Sequence, residues 1–316
     1  MSARSPSAVE LQAAVAALRR GECIGLPTET VYGLAADARN PQAVARIFAL
    51  KQRPSEHPVI VHLPRGATLS EYAVSVPETA HQLARSFWPG PLTLILARAA
   101  WVPDLVTGGQ HTVGLRMPAH PVAQAVLEAF GGGLAAPSAN RFGRVSPTRA
   151  EHVRAEFGGA LPMVLDGGDS EVGIESTIVD LSGAAARILR PGMLGREALE
   201  AVIGPLAESA AGAAPRVSGA LDKHYAPRAP LRLVSRERLV QGAPARVLAL
   251  GCLPDGGEGL ALPAEPFGYA RGLYAALRQL DADDGREIRV EQLPEGAAWD
   301  APRDRLRRAA AGSGMG

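Results

Sequence analysis

Apolar residues recur along this chain with two different periods, and the changes of period mark out its elements. Val9, Leu11, Val15 and Leu18 follow Ser5-Pro6 at helical spacing and stop before Gly21. The pattern predicts a helix with Ser5 as N-cap, Pro6 at its first position and Gly21 as its stop. A short strand over 23–26 follows. Asn40-Pro41 then opens a second helix with Val44, Ile47, Phe48 and Lys51 on successive turns, and Pro54 prevents its continuation. Lys51-Gln52-Arg53 is thereby placed at a helix C-terminus. Apolar runs over 58–63, 92–97, 134–136, 163–165, 177–181 and 187–189 read as strands, with helical stretches near 78–87, 120–130 and 148–157. Their spacing is too irregular for a clean series of crossover units. The expected fold class is therefore α/β with a twisted, mixed sheet and flanking helices.

Between about 205 and 230 the text changes to LAESAAGAAPRVSGALDKHYAPRAP, rich in Ala, Gly, Pro and Ser and poor in periodic apolar residues. It reads as an interdomain linker. Runs over 231–234, 246–251 and 287–290 look like strands, and 268–280 and 301–311 like helices, which makes a small C-terminal α/β module. The chain of 316 residues thus divides into a first domain over 1–205, a linker over 206–229 and a second domain over 230–316.

Charge narrows the function classes. With 33 basic and 32 acidic residues the formal balance is +1, without the basic excess of a dedicated nucleic-acid binder. All but two of the cations are Arg; the exceptions, Lys51 and Lys223, stand out for that reason. Cys23 and Cys252 match no metal-ligand spacing and read as buried thiols. No basic segment leads into an apolar core at the start, and no run approaches the roughly 18–20 apolar residues that span a bilayer. A reduced, cytoplasmic protein with no membrane contact is expected.

Five polar clusters interrupt the first domain: Pro27–Gly33, Lys51–Pro58, His111–Arg116, Pro137–Asn140 and Glu175–Thr177. Most abut a predicted strand, where α/β sheets place ligands. Lys51, Arg53, Arg116 and Arg190 offer cations for phosphates or carboxylates. Thr30, Thr112, Ser138, Ser146 and Ser176 offer hydroxyls. Ser-His-Asp spacing, a nucleophile elbow, a helical His pair and both glycine-rich phosphate loops are absent from the sequence. Such a set suits a reaction between two bound substrates that need positioning and charge neutralisation, as in nucleotidyl transfer. Each cluster taken singly has a plainer reading: cations at a helix end, a Pro-Ser turn, one half of a surface ion pair, structural histidines at 57 and 62.

Taken in order, however, PTETVYGL, KQRP followed by HP, FWPGPLT, GLRMP, PSAN, GIESTIVD and ILRPG span nearly all of 10–195. This order resembles the Sua5/YrdC/YwlC family of L-threonylcarbamoyladenylate synthases. KHYAP and the second module are similar to its longer, two-domain Sua5 branch. The resemblance implies a YrdC-like catalytic domain with a Rossmann-like C-terminal Sua5 domain. It also implies a reaction in which threonine, bicarbonate and ATP give threonylcarbamoyl-adenylate, pyrophosphate and water. The product supplies a downstream threonylcarbamoyl transferase that makes t6A at position 37 of ANN-decoding tRNAs.

By motif, the resemblance assigns Thr30, His62, Arg116 and Ser176, with backbone near Ala136, to threonine. It puts Lys51, Arg53, His57, Thr112, Ser138, Asn140, Ser146 and Arg190 on the ATP side, with Lys51, Arg53, Ser138 and Asn140 in the catalytic role and Tyr225 as a lid contact. Mg2+ would be bound through the ATP phosphates and not by a protein metal site. A monomer is the default expectation, and direct tRNA contact would be weak. Two departures stand out: Val217–Asp222 lacks the usual proline-glycine-methionine lead-in to KHYAP, and Pro294–Arg305 lacks the usual glycine-rich approach to the last helix. Carbamoyl transfer on the same fold and an RNA-binding module are the competing readings. The first would need extra zinc-finger or transferase domains, and the second sits poorly with the charge balance.

Overall fold

The computed structural model describes residues 6–208, 214–281 and 285–313. Helix α1 (Ala8–Arg19) starts from Ser7, whose hydroxyl accepts from the Glu10 amide while Glu10 reaches back to the Ser7 amide. This two-sided closure sets the helix start, so Pro6 lies ahead of the cap and not in the first turn. Ser5, the expected cap, falls outside the described residues. Along the chain follow β1 (Ile24–Leu26), β2 (Gly33–Asp37), α2 (Pro41–Lys51), β3 (Ile60–His62), β4 (Ala73–Ser75), α3 (Glu78–Phe87), β5 (Leu92–Arg98) and α4 (Asp104–Thr107). Next come β6 (Thr112–Arg116), α5 (Pro121–Phe130), β7 (Leu134–Ala135), α6 (Ala150–Phe157), β8 (Thr177–Asp180), β9 (Arg187–Arg190) and α7 (Arg196–Ile203). As expected, Asn40 caps α2 with Pro41 as its first residue, and its side chain accepts from the Gln42 and Ala43 amides.

These strands form one sheet in the order β1-β2-β7-β3-β6-β5-β8-β9, with β4 on β5. The pairs β3–β6 and β5–β8 are parallel and the others antiparallel, so the sheet is mixed. Strands β2 and β6 lie outside the runs that hydrophobicity marks. GLAAD of β2 has no β-branched residue and TVGLR of β6 is interrupted by Gly114, and pairing on both sides decides their state. The run at 163–165 makes only an isolated bridge from Val164 to Gly25.

Alternation along the strands divides the sheet into two faces. Leu34, Ala36, Val61, Leu94, Leu96 and Leu115 face a core completed by α2, α3 and α7. On the opposite face, α1 and α5 cover Ile24, Leu26, Ala35 and Leu134. That leaves the stretch β3-β6-β5-β8 on this second face to be covered by something else.

The remaining cover comes from the segment 214–230 and the C-terminal domain. The latter holds β10 (Leu231–Val234), β11 (Arg246–Leu250), β12 (Glu258–Leu262), α8 (Pro266–Leu280), β13 (Ile288–Glu291) and α9 (Asp300–Gly312). Its four strands are all parallel in the order β10-β13-β11-β12. Strand β12, EGLAL, has no counterpart among the sequence-predicted strands. The described part of 206–229, expected as a linker with Tyr225 as a lid contact, packs against the rest of the chain. Val217, His224, Tyr225, Ala226 and Ala229 are buried, and Val217 packs on Ile95 and Ile178 of the sheet. Its few apolar residues are irregularly spaced because the segment is an extended strap, which has no helical or strand period to display.

Candidate active site

Register on the second face builds the site. In the parallel pair β3–β6, Ile60 lies opposite Gly114 and His62 opposite Arg116. Gly114 leaves room there, since a Cβ would stand 3.2 Å from Ile95 Cδ1 and 3.5 Å from Ile60 Cγ1. Beside His62 and Arg116 is a cavity. Of the expected residues, Thr30, His62, Arg116, Ala136, Ser138, Ser176, Arg190 and Tyr225 border it.

Arg116 is held on three sides. Nη1 donates to Thr30 Oγ1 at 2.8 Å, Nε to the Gly90 carbonyl at 3.3 Å, and Nη2 lies 2.7 Å from Glu29 Oε1. The last contact is a close ion pair without hydrogen-bond alignment, so Nη2 keeps a free hydrogen-bonding direction. Glu29, which sequence reasoning passed over between two threonines, supplies the charge that lets a guanidinium remain buried. His62 is pushed down to about 3 by burial and by the adjacent Arg116 charge, so its imidazole is neutral, and its Nδ1 has no partner. On β8's side, Ser176 Oγ shares a hydrogen bond with Thr93 Oγ1 at 2.8 Å. Arg190 donates to Ser176 O through Nε and Nη2 and to the strap's Ser218 carbonyl through Nη1 at 2.7 Å.

The Pro137–Asn140 loop forms another wall. Leu34 N donates to Pro137 O and Ala139 N to Tyr32 O, which staples this loop to the one carrying Glu29 and Thr30. Beneath it, the Lys51 ammonium donates to the carbonyls of Ser138 and Asn140, each at 2.6 Å. Burial, and then Arg53, push its pKa well down. Lys51 does not border the cavity; it fixes the loop that does. Asn140 turns its Nδ2 to the Arg141 and Arg144 carbonyls and leaves Oδ1 without a partner.

Other expected ATP-side residues are spread around this centre. Arg53 donates Nη2 to Pro58 O at 2.9 Å, lies 5.7 Å over Phe142 and keeps an unpartnered Nε; burial lowers it to about 10. His57 packs its ring 5.3 Å from Phe142 and is lowered by burial. Thr112 borders a narrower adjoining space, opposite Val217 and Ser218 of the strap. Ser146 lies behind the cavity, with Oγ donating to Glu175 Oε1 at 2.6 Å.

The strap closes the site. Tyr225, left-handed at φ 61°, stacks on Tyr274 of α8 at 5.6 Å and donates weakly to Gly219 O at 3.3 Å. Burial and then Glu175 push its hydroxyl up to about 12. His224, buried and lowered to about 3, leaves Nδ1 without a partner. Glu175 accepts from Ser146, from Tyr274 at 2.9 Å and from Arg305 at 2.8 Å. Burial alone would raise its carboxyl, but Arg305 and Arg190 outweigh that and hold it at about 2. Glu175, His224, Tyr274 and Arg305 were not among the sequence candidates. Glu175 does fall inside a recognised motif, but an arginine among thirty-one carries no signal.

Among the buried polar atoms without partners, His62 Nδ1 and His224 Nδ1 belong to residues that border the cavity, and Arg53 Nε and Asn140 Oδ1 to residues outside its lining. An orphaned buried polar group is costly, about 1–3 kcal/mol, so the two at the cavity point to a polar ligand. Fold and site together define a two-domain α/β protein with a polar cavity, edged by Arg116 and Arg190, under an interdomain strap.

The Sua5_yciO_yrdC family model, described as "Telomere recombination", matches residues 16–192, and the "Threonylcarbamoyl-AMP synthase, C-terminal domain" model matches residues 194–311. The chain belongs to the Sua5/YrdC family. It is 37% identical to a threonylcarbamoyl-AMP synthase of Pyrococcus abyssi over 95% of this chain and 94% of that one. A Bacillus subtilis threonylcarbamoyl-AMP synthase is also 37% identical, over 96% of this chain and 93% of its own. The crystal structure of P. abyssi Sua5 complexed with L-threonine superposes with a TM-score of 0.91 at 35% identity, covering 99% of this chain and 97% of that one.

Proposed function

We propose that this protein is a threonylcarbamoyl-AMP synthase, joining L-threonine, bicarbonate and ATP into threonylcarbamoyl-adenylate with release of pyrophosphate and water. The observation that carries the reading is Arg116, buried and braced by Glu29 and Thr30, with one face of its guanidinium open to a cavity edged by His62 and Ser176. Such a fork takes a carboxylate, and the surrounding hydroxyls and neutral imidazole suit the hydroxyl and amine of threonine.

The threonine amine takes up bicarbonate as a carbamate, and a carbamate oxygen attacks the α-phosphorus of ATP in line with departing pyrophosphate. In bond terms a nucleotidyl transfer is proposed, catalysed by positioning and charge rather than by a protein nucleophile. Arg53, His57, Thr112, Ser138, Asn140, Ser146, Arg190 and Tyr225 would serve the nucleotide, several of them through the loop and strap contacts described. Lys51 would act on the Ser138 and Asn140 carbonyls that shape this wall. His62, held neutral at about 3, is a hydrogen-bonding group near neutral pH and a poor base there. Mg2+ would enter as MgATP, held by the phosphates.

A cytoplasmic monomer that hands its product to a threonylcarbamoyl transferase, with at most weak tRNA contact, completes the proposal. Among the described residues no helix is long and apolar enough to cross a membrane. The deciding assay is pyrophosphate release by the purified chain with MgATP, omitting threonine, bicarbonate or neither, with serine as control. Release should require both threonine and bicarbonate. Release indifferent to threonine would defeat the substrate assignment, and tight tRNA binding without turnover would favour an RNA-binding role.

A further inference from the structure

Two helices of the C-terminal domain reach the walls of the cavity, α8 through Tyr274 and α9 through Arg305. Arg305 of α9 is wholly buried, and each of its three nitrogens has an acceptor. Nε donates to Glu175 Oε2 at 2.8 Å, Nη2 to the Glu175 carbonyl at 3.4 Å and Nη1 to Asp304 Oδ2 at 2.8 Å. Its guanidinium carbon also lies 5.3 Å over the Tyr225 ring. Glu175 and Tyr225 both border the cavity, from the sheet side and the strap side respectively. One turn along, Arg308 is anchored by Asp304 and donates to the strap carbonyls of Ala220 and Leu221 at 2.8 and 2.6 Å.

We propose that Arg305 is a positioning residue of the active site, fixing Glu175 and Tyr225 in one arrangement so that the C-terminal domain completes the closed cavity. Stability alone does not account for it. A buried ion pair is often replaceable by packed apolar side chains at no cost, whereas a planar fork that joins a carboxylate, a peptide carbonyl and an aromatic face at once sets geometry. A residue that only filled the interface would have no reason to touch two walls of the cavity.

The kinetic arm of the test rests on the synthase reading, and the exchange arm does not. Full-length Arg305→Met and Arg305→Lys variants are compared with the unaltered chain by amide hydrogen exchange over 217–226, by threonine KM and kcat in pyrophosphate release, and by Tm. In Arg305→Met, exchange of strap amides should rise at least tenfold while amides of β11 keep their protection, and threonine KM should rise at least tenfold. Arg305→Lys keeps the charge but loses the fork, and should still show at least threefold faster strap exchange. A lowered Tm with strap exchange and KM both within twofold of the unaltered chain, well below that Tm, would overturn the proposal; should Arg305→Met not fold, the same result from Arg305→Lys overturns it. If the unaltered chain releases no threonine-dependent pyrophosphate, the synthase reading fails while strap exchange still decides the role of Arg305.

Discussion

Arg116 and Glu29 form a buried ion pair, so the charge proposed to bind threonine is balanced within the fold. Removing the guanidinium in Arg116→Ala would take away the proposed charge-assisted contact to threonine and leave Glu29 buried without its ion-pair partner. Threonine KM should rise about 10–100-fold, for roughly 1.5–3 kcal/mol of lost charged hydrogen bonding. Stability should fall by about 3–5 kcal/mol. Arg116→Ala combined with Glu29→Gln should recover much of the Tm and none of the KM, and equal recovery of both would deny Arg116 its ligand contact. His62 and His224 make a second prediction. Both are lowered to about 3 by burial, so below about 6.5 the unfolded chain binds protons that the native state refuses. Stability then rises with pH, and falls as pH drops from 6.5 toward 4 by up to about 1.4 kcal/mol per pH unit for each histidine. Thermal melts at stepped pH should show this slope, reduced in His224→Phe.

At the scale of elements, the strap and the Pro137–Asn140 loop carry the site, and both derive their conformation from contacts rather than from propensity. Val217 is the strap's apolar anchor on Ile95 and Ile178. Val217→Asp should release it, so that limited proteolysis cuts within 214–226 much faster while the Tm of the first domain's sheet barely moves. Equal protease resistance would mean that Arg190 and Arg308 hold the strap unaided. Helix α2 was legible because a capping residue and an apolar period coincide in it, and α3 and α5 by their apolar period. Strands β2 and β6 were hidden for the opposite reason, since short runs such as GLAAD and TVGLR, with small residues or a central glycine, become strands when neighbours pair on both sides. The first-domain motifs were visible as polar clusters next to strands, but the fact that Lys51 serves the loop rather than the cavity follows only from its contacts.

For the whole molecule, the second domain docks through a close approach that a side chain would prevent. Gly173 lies against α8, where a Cβ would come within 2.4 Å of Arg271 Cα, and its φ of +79° adds strain for any other residue. Gly173→Val should cost on the order of 3 kcal/mol and lower turnover by disturbing Glu175 two residues on. A chain ending at 230 should lose threonine-dependent turnover for a related reason, because Tyr274, Arg305 and Arg308 leave with the second domain. Full activity in that truncated chain would limit the domain to bracing.

The sequence by itself determined the α/β class, the mixed sheet, the existence of a second module and the ordered motifs from which the family can be recognised. Each of these is written in local periods, caps and contiguous residues. Only the tertiary structure decided that Val217 anchors the strap on Ile95 and Ile178, that Glu29 balances Arg116, and that Glu175 is held from another domain by Arg305, 130 residues away in the chain. Such pairings depend on which elements share a sheet face and which surface is left uncovered. No local pattern records them, because a single arginine or glutamate reads the same whether its partner is solvent or a buried charge.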